Sequence, residues 1–502
     1  MTSRTGADRR WIGPAAALVF VLVLAASVPL LSWRVSIGDA AEAQTVPYIL
    51  GIAHPTGFPA YALIGWAFSH LVPFGSIAWR LNAFTATSTA ASAAAVALIA
   101  GAFGCRPAAA ATAGLVFATG DVVFAGAMIA NAQPLASTCT LYALLGAIVY
   151  ATSGDRRVLA GAAVLAGVGM AAHPAALWVL PAIALAMVWQ RRAIDLRTCA
   201  LVVAGVVMPL TLYAYLPIRS SMVAAQHLDP AAEPPLRAEG VAWDTNQPRT
   251  VSGLLDELLA RKERAGGSLL AAFDPRSIPG TAQFWSAFVV RQYAPWVLIL
   301  AAIGAFALAR EERRSLSVLA AGTLGGVLFA YQYRGDTHID RYVVVSFAVV
   351  AVLAAASSRF ALLFGARRMG LGDATPLLLA VVAAFAFAHE RTRPPVPIFE
   401  DGDAIVQAVR RDTPDGAVVV AQWNEAAALG YGAFVERALG SRTIVAGWPS
   451  TYVDRYPEWL QTRRVVVFAG PLALRYIGRV AGSPKRLLPS SEPGFVAFEL
   501  LR

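Results

Sequence analysis

Asp39 and Glu42 lie three residues apart in GDAAEAQTVPYILGIAHPTGFPAY (residues 38–61), directly after a long hydrophobic run. On a helix, such residues share a face with Cβ atoms about 5–6 Å apart. Two carboxylates that close can divide the chemistry between them. One takes a proton from a hydroxyl, and the other positions the acceptor or binds a metal. The D-x-x-E spacing is equally that of a capping box, in which both side chains serve backbone N–H groups. Spacing alone leaves both readings open. His54 follows in the same segment, and further basic groups stand at Arg80 in SIAWRLN, Arg219 in YLPIRS, and Arg334, His338 and Arg341 in RGDTHIDR. One such arginine alone reads as an interfacial anchor. Several on one membrane face suit a phosphate or pyrophosphate, which guanidinium grips bidentately. Asp336, His338 and Asp340 alternate. With Asp39 they leave a divalent cation as an option, but the spacing is no known ligand signature and favours a solvated turn. No metal ligand is assigned. His173 in MAAHPAALW and Gln133 in ANAQPLA read as turn residues between spans.

These residues need elements to hold them, and the composition says what kind. The 502 residues are 57% hydrophobic and only 14% charged, far below the roughly 25% charge of soluble chains. Apolar runs long enough to cross a bilayer fall near residues 13–33, 80–103, 108–129, 132–151, 157–172, 174–189, 198–217, 291–309, 315–333, 342–358 and 375–390. The chain is therefore expected to be an α-helical polytopic membrane protein with about eleven transmembrane helices. The net charge of +10 does not mark nucleic-acid binding, because the arginines lie between hydrophobic runs rather than on one soluble face. Lys262 and Lys485 are the only lysines, a bias expected of a GC-rich bacterial genome. Cys105, Cys139 and Cys199 form no CxxC and read as small buried hydrophobes. ADRRWIG resembles the basic flank of a secretion signal, but the apolar run after it is too long for one, so a retained first span is expected.

Arg9 with Arg10, Arg106, Arg156 with Arg157, Arg191 with Arg192, Arg310 with Arg313 and Arg314, and Arg367 with Arg368 then fall on one side. By the positive-inside rule that side is the cytoplasm. The run HPTGFPAYALIGWAFSHLVPFG must not cross, since crossing would move every later cluster outside. Its prolines favour a short, bounded helix, amphipathic or re-entrant, on the outer face. Asp39, Glu42 and His54 are thereby placed in a first outer loop, residues 34–79. A long outer loop, residues 218–290, carries VSGLLDELLARKER, with Val251, Leu254, Leu255, Leu258 and Leu259 at the spacing of an interfacial helix. Beyond Pro394, AVVVAQ, RTIVAG, RRVVVFAG and GFVAFEL read as short strands of a small α/β domain outside the cytoplasm. The expected division is residues 1–393 for the membrane domain and 394–502 for the α/β domain. The GYG at Gly430–Gly432 lacks the strand–turn–helix context of a dinucleotide site.

The run from Gly38 to Asn82 resembles the opening motif of a membrane family first catalogued as a domain of unknown function: D-S-G-E, an apolar stretch, HPPGYPL, then WRVN. VGMAAHPAAL, YAYLPIRS and EGVAWDTNQPRTVSGLL are similar to its later segments, so the resemblance covers roughly the first 350 residues. That family includes the eukaryotic transmembrane O-mannosyltransferase acting on plexin-type receptor domains and belongs to the GT-C glycosyltransferase superfamily. The resemblance implies a GT-C-like fold, a polyprenyl-phosphate sugar donor and inverting transfer on the outer face. It makes Asp39 the base candidate and Glu42 its acidic partner, with His54, Arg80 and Arg219 at motif positions. Ala40 and Ala41 replace the usual Ser-Gly, and Gln133 stands where bacterial members often carry Glu. The C-terminal α/β domain is not covered.

The expected function is glycosyl transfer at the outer face of a bacterial cytoplasmic (inner) membrane, with Asp39 and Glu42 catalytic and His54, Arg80, Arg219, Arg334, His338 and Arg341 binding substrate or phosphate. Protein, lipid and polysaccharide all remain open as acceptors. The alternative is a transporter or flippase of a lipid-linked or anionic substrate, for which charged residues within the spans would be the mark. The spans are almost free of charge, which favours surface chemistry.

Overall fold

A computed structural model describes residues 10–191, 194–261, 275–332, 339–363, 401–470, 485–489, 491 and 494–501. The chain forms two compact units. The first takes residues 1–30, 85–212 and 265–394; the second takes 31–84, 213–264 and 395–502.

The first unit is helical and rich in alanine. Among the described residues the molecule has six helices long and apolar enough to cross a membrane, or eight if two bent pairs each count as one span. This is fewer than the eleven expected, for local reasons. The 108–129 run breaks at Gly120, where helices Pro107–Thr119 and Asp121–Ala127 meet at 72°. The 291–309 run is the helix Pro295–Glu311, bent by 115° from Ile278–Gln292. The 157–172 run is a 17-residue helix, Arg156–Ala172. The 174–189 run opens as a 3-10 turn, Pro174–Val179, before the helix Leu180–Trp189. The run at 375–390 lies outside the described residues.

Small residues let these helices approach closely, the usual substitute for a hydrophobic driving force inside a bilayer. A Cβ on Gly304 would meet the Leu353 carbonyl oxygen at 1.8 Å, and one on Gly167 would meet that of Val206 at 2.4 Å. Outward-facing positions stay apolar, as at Val203, Val207 and Met208 of the helix Leu196–Leu210. A polar group inside the unit is satisfied locally. His173 Nδ1 accepts from the Ala175 N–H at 3.1 Å, capping the 3-10 turn Pro174–Val179, and its Nε2 lies 3.1 Å from Gln133 Nε2. His173 therefore serves the turn through its own cap.

The second unit holds a five-stranded sheet. Its strands are β1 (Val418–Ala421), β2 (Thr443–Ala446), β3 (Val465–Ala469), β4 (Lys485–Leu487) and β5 (Val496–Leu500), in the order β2-β1-β3-β5-β4. β1 pairs in parallel with β2 and β3, Val418 opposite both Thr443 and Val465, while β5 runs antiparallel to β3 and β4. β1, β2 and β3 are buried throughout, which is why they read as unbroken apolar runs. Trp459, Tyr456 and Tyr452 fill the core beside them. The glycines of GYG serve packing within the helix Trp423–Phe434: a Cβ on Gly430 would sit 2.9 Å from Val241 Cγ1, and one on Gly432 would sit 2.6 Å from Val406 Cγ1.

The C-terminal residues do not stand alone in this unit. Arg34 pairs with Asp401 at 2.5 Å, the Val35 N–H donates to Asp403 Oδ1 at 3.1 Å, and the Gly402 N–H donates to the Val35 carbonyl at 3.1 Å. The Ala78 N–H donates to the Tyr431 hydroxyl at 3.0 Å. These bonds tie residues 31–84 to residues 401–431 within the unit.

Candidate active site

The helix Gly38–Ile49 carries the acidic pair. It starts at Gly38, whose φ of +53° suits glycine and whose Cβ would meet Asn424 Oδ1 at 2.7 Å. Its N-cap is Ile37 in extended conformation with no side-chain cap. Asp39 and Glu42 thus lie inside the first turns, and the capping-box reading is not realised. Both are engaged elsewhere.

Glu42 is 2% exposed and takes His54 in both oxygens: Oε1 accepts from the His54 backbone N–H at 2.8 Å, and Oε2 meets the ring Nδ1 at 2.5 Å. Burial disfavours the imidazolium, but the charge and hydrogen bond of Glu42, with the charges of Asp39 and Glu257, outweigh it and push the His54 pKa up to about 10. His54 is accordingly a cation at neutral pH. Phe58 and Trp423 meet its ring edge-on, with centroids at 5.2 and 6.1 Å. Asp39, less buried than Glu42, accepts from Trp423 Nε1 at 3.0 Å.

Residues 213–264 brace the turn that presents His54. The Ile52 N–H donates to the Trp243 carbonyl at 3.2 Å, Thr245 Oγ1 donates to the Ile52 carbonyl at 3.1 Å, and the Tyr215 hydroxyl donates to the Gly51 carbonyl at 2.8 Å. Gly51 is obligatory there, because a Cβ would lie 1.7 Å from the Ala242 carbonyl oxygen. Asp244 is held by an ion pair with Arg249.

The arginines divide by role. Arg219 donates through Nε to the Leu50 carbonyl at 2.5 Å and through Nη2 to the Ile49 carbonyl at 3.1 Å, and it lies 5.7 Å from the Trp243 ring centroid. It therefore caps the helix bearing the acidic pair, where the helix dipole is negative. Arg80 donates to the carbonyls of Phe74, Gly75 and Ser69 at 3.1, 3.1 and 2.8 Å, closing the loop ahead of its own helix. These bonds engage Nε and Nη1 and give Arg80 a scaffold contact. Arg341 belongs to the first unit, in the 3-10 turn Ile339–Val343, where it lines a small cavity with Gln133, Thr140, Tyr342 and Ser346. Arg334 and His338 lie outside the described residues. Among the described residues, no group of three His, Cys, Asp or Glu side chains is arranged to hold a metal ion.

Sequence reasoning missed two participants. Trp423 sits in the part of the chain that no motif covered. Glu257 lies on the helix Val251–Leu259, which read as interfacial through its leucines. The helix leaves Val251 and Leu259 exposed and buries Gly253 and Glu257. A buried acid opposite an apolar stripe was the available signal.

Residues 39–195 match the family profile described as the Protein O-mannosyl-transferase TMEM260 N-terminal domain. The chain is 42% identical over 50 residues to Protein O-mannosyl-transferase tmem260 of Dictyostelium discoideum, and 41% identical over 66 residues to Protein O-mannosyl-transferase TMEM260 of Mus musculus. These matches cover 10% and 13% of this chain but only 6% and 8% of those proteins. The fold is similar to that of ArnT from Cupriavidus metallidurans bound to undecaprenyl phosphate, with a TM-score of 0.59 at 13% identity over 96% of this chain and 97% of that one. The apo ArnT structure gives 0.57 at 12% identity over the same shares. Residues 39–195 thus resemble the TMEM260 N-terminal domain, in a multi-pass membrane chain whose fold is similar to that of ArnT and which carries a small C-terminal sheet.

Proposed function

We propose that the protein is an integral-membrane glycosyltransferase that moves a sugar from a polyprenyl-phosphate donor to an acceptor hydroxyl on the extracytoplasmic face of the cytoplasmic membrane. The observation that carries this reading is the division between the two carboxylates. Glu42 is buried with both oxygens on His54, so it fixes the site. Asp39 is less buried, and its Oδ1 is oriented by Trp423, which suits a general base.

In the proposed step Asp39 takes the acceptor hydroxyl proton as that oxygen bonds to the anomeric carbon. The bond from that carbon to the phosphate oxygen breaks on the opposite face, inverting the centre and releasing polyprenyl phosphate. Negative charge grows on the departing phosphate, and a fixed cation stabilises it without reorganisation. His54, held as an imidazolium, is the cation this site supplies; Arg341, Arg334 and His338 are proposed as further anion-binding groups. The profile match over residues 39–195 and the undecaprenyl phosphate bound to ArnT, whose fold is similar, support donor and reaction class. Purified protein in vesicles supplied with a polyprenyl-phosphate sugar should form glycosylated acceptor. Vectorial uptake of the donor without product would instead support the transporter reading.

A further inference from the structure

Two buried carboxylates bracket the turn that presents His54. The turn closes with the Gly57 N–H donating to the His54 carbonyl at 2.9 Å. On one side Glu42 binds the His54 backbone and ring. On the other lies Glu257, with no exposed surface, on the helix Val251–Leu259. A Cβ on Gly57 would stand 3.1 Å from Glu257 Oε1 and 2.7 Å from Leu216 Cδ2, and Gly57 has φ +75°. Glycine at position 57 therefore lets the turn settle directly onto the carboxylate. Asn246 Nδ2 donates to Glu257 Oε2 at 2.9 Å, fixing its direction. A carboxylate removed from water this completely is normally matched by a cation, because the charge costs too much otherwise. The His54 imidazole is a cation within its field.

We infer that Glu257 is a positioning residue for this site: a second counter-charge that, with Glu42, holds His54 as an imidazolium and leaves the ring's Nε2–H to donate to an anionic substrate group. The inference rests on the function proposed above for its anionic partner, but the charge state of His54 can be measured without any transfer. The helix bearing Glu257 comes from the long loop, far along the chain from the opening motif. Its packing thus decides the electrostatics of a site that the motif only begins.

The test is the pH dependence of His54 carbethoxylation by diethyl pyrocarbonate, a reagent that attacks neutral imidazole, read by peptide mass spectrometry of the full-length protein in detergent. Wild-type His54 should resist the reagent up to strongly alkaline pH. Glu257→Gln should shift the half-modification pH downward by roughly one unit, and Glu257→Asp should restore most of the shift. Superimposable wild-type and Glu257→Gln profiles would overturn the inference. Should Glu257→Gln accumulate poorly, thermal midpoints of His54→Gln and of the double variant decide the matter. If Glu257 acts through His54, the double variant is the more stable of the two, because the uncompensated charge is gone. If the double variant melts lower than His54→Gln, Glu257 has a purely structural role and the inference fails. A shifted modification profile in protein that forms no product would leave this inference standing and sink the proposed function instead.

Discussion

Glu42 grips His54 twice, accepting from its backbone N–H at 2.8 Å and meeting its ring nitrogen at 2.5 Å. The pair joins a helix that follows the first span to a turn braced by the long loop, so it fixes geometry and charge together. Breaking a buried pair from one side strands a charge, at a cost on the order of 3 kcal/mol. Glu42→Ala should lower the thermal midpoint in detergent by several degrees, and Glu42→Ala/His54→Gln should cost less than the sum of the single changes. Strict additivity would count against coupling.

The His54 value of about 10 lies above the ordinary 6.5, so the folded state holds its proton more tightly than the unfolded chain. Its stabilising contribution is complete below about 6.5, shrinks between 6.5 and 10, and is gone above about 10. A melting series across that window should show falling midpoints in the wild type and a flatter course in His54→Gln. Parallel curves would contradict the assigned charge.

Arg219 serves two carbonyls at the end of the helix bearing the acidic pair. Lysine presents a point charge and cannot reproduce that fork. Arg219→Lys should cost about 1–2 kcal/mol and lower transfer while leaving the apparent affinity for donor nearly unchanged, as expected of a scaffold residue. A large rise in donor KM with intact stability would return Arg219 to the phosphate-binding role that the sequence suggested.

Trp423 orients Asp39 through its indole N–H at 3.0 Å. Trp423→Phe keeps the aromatic bulk beside His54 and removes that donor. Hydrogen bonds to charged groups contribute about 1.5–3 kcal/mol, so kcat should fall roughly tenfold to a hundredfold with the fold intact. Unchanged kcat would show that Asp39 needs no such partner.

Much of this was legible because membrane and strand signals are strong. The 13-residue helix Pro59–Leu71 is as short as its bounding prolines implied, about 20 Å long against a hydrocarbon core of about 30 Å. All four expected strands form: β1, β2 and β3 as buried parallel strands that write themselves as apolar runs, and β5 as a mostly apolar antiparallel strand. β4 escaped because its residues, Lys-Arg-Leu, carry neither alternation nor an apolar run. Bends escaped too: hydropathy reports how apolar a run is, not that Gly120 turns it by 72°.

The site was half legible. Asp39, Glu42 and His54 announced themselves as polar groups in an apolar setting. Arg80 and Arg219 did as well, yet their carbonyl partners depend on loop geometry that residue type cannot convey. Glu257 and Trp423 were hidden because they reach the site through packing of distant segments. A leucine-rich face drew attention away from the buried acid beside it.

Everything proposed for this site turns on Asp39 acting as the base for transfer to an acceptor hydroxyl. Asp39→Asn keeps the shape of the side chain and its place beside Trp423 while removing the proton acceptor. Transfer from a polyprenyl-phosphate sugar should be measured in vesicles containing equal amounts of folded wild-type and variant protein. The Asp39→Asn variant should lose transfer by at least about a hundredfold with its melting point preserved; transfer at the wild-type rate would contradict the role given to Asp39.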